Sequence, residues 1–234
     1  MKAHRLLAMF VCISLLFGCS KNEDGPHGST GIYKKHYISS FAIATGLDLY
    51  PMSDNPGVIR IFSQHEDELC GRESYEKLCE YFGDTSYNRI MHSDPTITQC
   101  YADEFTALDI YSSADFGNIK AGESLADIVM FISATAKPYI DGDYSLKNID
   151  IQDYIRMEEE LGHYYEYFDS HRHEYFYPVC KRASELKPED MTLLSCWFMT
   201  IKFMETPDIK EHTITIVLRT NDKEVREQID VVFP

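Results

Sequence analysis

Three runs in the closing third of the chain constrain its fold more than any other feature. Trp197, Met199, Ile201 and Phe203 alternate with Thr200 and Lys202. Ile214, Ile216 and Leu218 alternate with Thr213 and Thr215, and Val225, Ile229, Val231 and Phe233 alternate with Arg226, Gln228 and Asp230. A period of two puts one set of side chains on one face of an extended strand, so the runs predict three half-buried strands joined as a meander. The second connection, Asn221-Asp222-Lys223, supplies turn residues. Amphipathic strands need a second layer against which to bury their apolar faces.

Upstream, the stretch from Tyr37 to Tyr50 and the run from Val58 to Phe62, which follows the turn signal Asn55-Pro56-Gly57, also read as strands. Tyr75, Leu78, Cys79 and Phe82 recur at helical spacing before Gly83, which predicts a short helix between Arg72 and Phe82. Phe105 to Tyr111 has apolar residues on both faces and reads as an interior strand. Ser124 and Asp127 suit a capping box, but the β-branched run Ile128 to Ile132 could equally be extended. A second helix is expected after Asp150, through Tyr154, Ile155, Met157 and Leu161 to Gly162. The expectation is a mainly β domain, a β-sandwich with short helical insertions, with an α+β domain built on a single antiparallel sheet as the alternative.

The amino terminus has a different grammar. Lys2 and Arg5 precede an apolar run from Leu6 to Phe17 broken only by Ser14, too short to span a bilayer, which needs about 20 residues. It ends in Leu16-Phe17-Gly18-Cys19, which resembles the lipobox of bacterial lipoproteins. The resemblance implies cleavage before Cys19, a diglyceride on its thiol and a fatty acyl group such as palmitate on the new amino terminus. Two or more chains anchor stably where one holds marginally, because each buried methylene contributes about 0.8 kcal/mol. The expected organisation is a signal peptide over residues 1–18, a flexible acidic tether over 19–31 and one globular domain over 32–234. Glu23 and Asp24 after the anchor resemble the export signal of Bacteroidota surface lipoproteins, which implies an outer-membrane, cell-surface address, with a periplasm-facing one as the alternative.

Loss of Lys2 and Arg5 with the leader takes the formal charge from −16 to −18. A strongly acidic chain without a basic cluster repels a phosphate backbone, so nucleic acid is excluded as an expected partner. Cys70, Cys79, Cys100, Cys180 and Cys196 remain besides the anchor. Either some of them pair in an oxidising compartment or all are buried apolar thiols. Of the possible bridges, Cys180 to Cys196 is favoured, because a loop of that length would contribute about 3 kcal/mol.

Cys100-Tyr101-Ala102-Asp103, the strand through Tyr111, the Asp115-Phe116-Gly117 turn, the stretch Ala121-Gly122-Glu123-Ser124-Leu125-Ala126-Asp127-Ile128 and the three closing strands look like Bacteroidota lipoproteins of unknown function with an immunoglobulin-like part. The likeness spans roughly residues 95 to 234 and consists of strand and turn patterns. It implies an immunoglobulin-like β-sandwich at the cell surface and brings no catalytic residues.

The common catalytic signatures are missing: no Gly-x-Ser-x-Gly, no phosphate-binding glycine loop and no His-Glu-x-x-His. Ser74 to Lys77 and Ser184 to Lys187 match Ser-x-x-Lys without its companion motifs. Asp141, Asp143, Ser145 and Asp150 follow the order of a calcium loop, but Leu146 replaces its turn glycine and Gln152 its bidentate glutamate. No metal or other cofactor is expected. The densest unusual feature is Tyr164, Tyr165, Tyr167, Phe168, Tyr175, Phe176 and Tyr177, of which most are expected in the core. The remainder form a candidate binding face, with Tyr165 and Tyr175 as stacking surfaces and His171, Arg172 and His173 as donors at its tip; His171 and His173, with His163 and Glu160 upstream, have metal-ligand spacing on a strand but read as a solvated polar turn, because a metal site needs three or four converging ligands. The expected function is that of a membrane-anchored lipoprotein carrying a non-catalytic binding or structural accessory domain, its partners glycans or other envelope proteins. The alternative is a glycan- or envelope-directed hydrolase, for which Glu158, Glu159 and Glu160 are weak candidates because consecutive helical residues do not face one site.

Overall fold

The structure, a computed structural model, describes residues 32–91, 98–145, 151–161 and 176–234. In chain order the strands are β1 Ile32–Lys34, β2 Ser40–Met52, β3 Asn55–Leu69, β4 Arg89–Met91, β5 Gln99–Tyr101, β6 Ala107–Ser112, β7 Val129–Thr135, β8 Tyr177–Arg182, β9 Leu194–Phe203, β10 Glu211–Arg219 and β11 Glu224–Val232. Among the described residues three α-helices accompany them, α1 Glu73–Phe82, α2 Lys137–Asp141 and α3 Ile151–Leu161. The domain is therefore mainly β with a few short helices. No helix among the described residues is long and apolar enough to cross a membrane.

The largest sheet has the order β3-β2-β5-β9-β7-β8, and a further pairing of β3 with β9 closes its first four strands into a barrel-like ring. That closure runs from Val58 opposite Lys202 to Arg60 opposite Thr200. The long β2–β3 hairpin makes it possible, because its register shifts between Ala44 and Gly46 and such bulges bend and twist a strand. The bulge is clamped from outside: the Asp103 carboxylate accepts the Ala44 N–H at 2.6 Å, and Lys223 donates to the Ala44 carbonyl at 2.9 Å. A second sheet has the order β11-β10-β6, and β1 pairs with β4.

Two apolar clusters follow from the alternation along these strands. Leu49, Ile61, Phe131 and Ile201 from the large sheet meet Ile110, Ile216, Leu218 and Val231 from the small one. Residues next in sequence point the other way, so Ile132 and Phe198 join Phe41 and Cys180 under Tyr75, Cys79 and Phe82 of α1, Tyr139 of α2 and Met157 of α3. Phe116, in the connection between β6 and β7, stacks on Phe203 at 5.3 Å and meets Phe233 edge-on at 5.4 Å, tying together the ends of β9 and β11.

Four expectations need correction. The closing runs do not form a meander: β10 and β11 make a hairpin, but β9 lies between β5 and β7 in the other sheet. Local alternation gives the face of a strand and leaves its partner open. The strand through Tyr111 is the last of its sheet, and its outer edge is covered by loop backbone, with Gly122 N–H on Ser112 at 2.9 Å and Leu125 N–H on Ile110 at 2.9 Å. Trp197 does not face inward with Met199 but is 46% exposed, because the β7–β9 register slips between Ser133 and Thr135 and breaks the alternation there. Finally, Cys180 and Cys196 do not bridge. They lie in different apolar clusters on strands separated by β7, about 10 Å apart at the usual strand spacing and beyond disulfide reach. The run Ile128 to Ile132, open between helix and strand, becomes a 3-10 turn over Ala126–Ile128 and then β7.

Candidate functional site

The densest gathering of chemistry-bearing side chains among the described residues lies beneath α1. His36, Cys79 and Asp84 are all buried, and their possible ligand atoms lie within 4.8 Å of one another. The local sequence builds this place in three steps. Tyr75, Cys79 and Phe82 form the inward stripe of α1, Gly83 ends the helix in the left-handed conformation at φ 82°, and the chain then turns back to deliver Asp84 against the segment leading into β2.

Asp84 is held there by three hydrogen bonds. Its Oδ1 accepts the Tyr37 N–H at 2.9 Å and the Tyr144 hydroxyl at 2.8 Å, and its Oδ2 accepts the Ile38 N–H at 2.8 Å. His36 has its Nδ1 on the Asp84 carbonyl and its Nε2 on Glu76 Oε2 at 3.1 Å. Both ring nitrogens thus face oxygen atoms of the protein. Glu76 also takes Lys35 at 2.6 Å, and that hydrogen bond is the main cause holding its carboxyl below the usual range, with His36 adding to it. Burial pushes the Cys79 thiol up to about 12. Burial likewise lowers Lys34, whose ammonium donates to the Tyr37 carbonyl and to Ser39 Oγ, each at 2.9 Å. Arg89 adds a rim, its guanidinium 4.9 Å from the Tyr87 ring centre and bonded to the Tyr139 hydroxyl at 3.1 Å.

The three side chains offer one possible ligand atom each, and those of Asp84 and His36 already take part in hydrogen bonds within the protein. What the cluster does chemically is join three segments that the sequence keeps apart: the entry to β2, helix α1 and the Tyr144 turn.

A second arrangement approaches hydrolase geometry. Ser112 Oγ lies 2.6 Å from His212 Nδ1, and His212 Nε2 lies 2.7 Å from the Ile209 carbonyl, so Nε2–H donates to that carbonyl and Nδ1 accepts a hydrogen bond from the serine hydroxyl. Both residues are buried, Ser112 also accepts the Ala114 N–H at 3.2 Å, and the rings of Phe116 and Phe233 pack on the imidazole at 5.3 Å each. Ser112 is 4% and His212 3% exposed among the described residues. Sequence reasoning missed both arrangements because their members are far apart in the chain. Only the alternation that puts His212 inward alongside Ile214 hinted at the second.

Of the residues singled out from the sequence, Cys19, Tyr165, His171, Arg172, His173 and Tyr175 lie outside the described residues, as do Tyr164, Tyr167, Phe168 and Asp150. From the aromatic segment, Phe176 is buried and Tyr177 half-buried. Glu158 and Glu159 are exposed on α3, while Glu160 bonds Lys202 at 2.9 Å, so the consecutive glutamates do not converge. Asp141 pairs with Lys137, and Ser74 donates to Glu68 at 2.5 Å. Comparison with protein-family models, with curated proteins and with solved structures finds no match.

Proposed function

We propose that the protein is a lipoprotein of the bacterial envelope, anchored through Cys19 to the outer membrane and displayed at the cell surface, whose globular domain binds or scaffolds rather than catalyses. The observation that carries this reading is the leader itself: basic Lys2 and Arg5, a short apolar run and Leu16-Phe17-Gly18-Cys19 at its end. The hydrogen-bonded cluster beneath α1 and the buried Ser112–His212 pair support the non-catalytic half, since their bonds join segments of the fold. The partners proposed are glycans or other envelope proteins, met through the aromatic segment from Tyr164 to Tyr177. For the domain's finer class we propose an immunoglobulin-like sandwich, in which the sheet β11-β10-β6 is one layer and the large sheet the other.

The test is Cys19→Ala expressed in a bacterium that carries the native pathway. Fatty-acid labelling is expected to disappear and the protein to leave the membrane fraction; labelling that persists overturns the anchor. Protease treatment of intact cells then separates the surface from the periplasm, with digestion expected and full protection placing the domain inside.

A further inference from the structure

The three-stranded sheet ends in a strand whose outer edge no described residue pairs; β2 runs close to β11 but shares no ladder with it. The register of β10 with β11 runs from Glu211 opposite Val232 to Arg219 opposite Glu224, and the same ladder is bonded at both ends, Thr220 N–H to Lys223 and Phe233 N–H to Lys210. Bonded pairs alternate along an antiparallel ladder. Val225, Glu227, Ile229 and Val231 therefore turn their backbone groups toward β10, and Glu224, Arg226, Gln228, Asp230 and Val232 turn theirs outward. The one outward N–H with a described partner is that of Gln228, which rests on the carboxylate of its neighbour Glu227 at 2.8 Å.

We propose that this edge pairs with the same edge of a second copy, antiparallel about a two-fold axis at Gln228. Three observations meet in that register. It is the one that aligns the two strands over their full length, since Gln228 is the midpoint of Glu224–Val232. It sets the outward-pointing residues opposite one another as bonded pairs, the Gln228 N–H at the axis exchanging the Glu227 carboxylate for the Gln228 carbonyl of the second copy. It also brings Arg226 opposite Asp230 of the second copy, twice by symmetry, and opposite charges directly across a ladder attract. Arg226 is exposed and has no ion pair among the described residues, and Asp230 uses one oxygen on the Thr213 hydroxyl at 2.7 Å, leaving the other open. Shifting the register by two residues sets Glu224 against Asp230 instead and loses the match. The formal charge of each copy opposes association, so the two Arg226–Asp230 pairs act chiefly as register locks and the ladder supplies the contact.

Disulfide trapping on the full chain in its own membrane tests this. Opposite residues of a bonded pair have Cα atoms about 5.5 Å apart, within disulfide reach. Gln228→Cys is therefore expected to give a covalent dimer under mild oxidation above the background of the wild-type chain, which carries the exposed Cys70. Glu224→Cys, whose two copies would lie about 27 Å apart, is expected to stay at background. Adding Arg226→Glu to Gln228→Cys should lower trapping by about tenfold, and Arg226→Asp with Asp230→Arg should restore it. Neither side chain enters the core, and urea unfolding of each variant checks that the fold is kept. Equal trapping at both positions, none at Gln228→Cys, or a charge-swapped pair as poor as the single reversal overturns the proposal.

Discussion

The carboxylate of Asp84 accepts the backbone N–H of Ile38 at 2.8 Å across forty-six positions of sequence, fixing the chain that enters β2 to the loop that leaves α1. Because the same carboxylate also holds Tyr37 and Tyr144, its loss strands several buried donors at once. Asp84→Ala is expected to destabilise the domain by about 3 kcal/mol, and Asp84→Asn, which keeps one acceptor oxygen, by less. Urea unfolding at neutral pH measures both; equal and negligible losses would show that the carboxylate does not hold these segments.

The pair above it sets a pH dependence. The Glu76 carboxyl is lowered in the folded protein, first by its bond to Lys35, so the folded state releases this proton more readily than the unfolded chain. Its contribution is thus complete above the ordinary value of 4.5 and disappears as the pH falls through the lowered one. Glu76 and Lys35 are both substantially exposed, so solvent screens the effect and it is small. Glu76→Gln should reduce stability at about pH 7 more than at about pH 3, as chemical denaturation at the two values would reveal.

Thiol labelling separates the cysteines by environment. Cys70 is exposed, whereas Cys79, Cys100 and Cys196 are buried and burial raises all three thiols. Iodoacetamide on the native protein is expected to modify Cys70 and to reach the other three only after unfolding. Peptide mapping without reduction should find no Cys180–Cys196 bridge.

Gly83 ends α1 at φ 82°, and a Cβ added there would have nothing within 4 Å, so a substitution meets backbone strain and no steric clash. Gly83→Ala should cost about 1 kcal/mol. Gly83→Asn should cost less, because asparagine tolerates the left-handed region, and thermal unfolding of the two variants compares them.

Phe116 is expected to be the costliest of the connecting residues. Its ring is buried against Phe203 at the end of β9 and Phe233 just after β11, strands of two different sheets. Phe116→Ala should lose about 3 to 5 kcal/mol, whereas Phe116→Leu should lose less; denaturant midpoints give both values.

The sequence by itself determined what depends on neighbours along the chain. Period-two alternation announced β9, β10 and β11, the spacing of Tyr75, Cys79 and Phe82 before Gly83 announced α1, and the first nineteen residues carry the anchor pattern on which the proposed address rests. These are local signals, because the face of a strand, the stripe of a helix and the stop at a glycine are set within a few residues. Only the tertiary structure decided which strands become partners. Nothing in the alternation of β9 says that it pairs with β3, β5 and β7 and leaves β10 to β6 and β11. Nor could spacing show that Cys180 and Cys196 fall on opposite faces of one sheet, or that Asp84 would meet Ile38 and Ser112 would meet His212. Those contacts join residues dozens of positions apart, and they form because burial of two apolar clusters and of every polar group trapped between them selects one arrangement of the same strands.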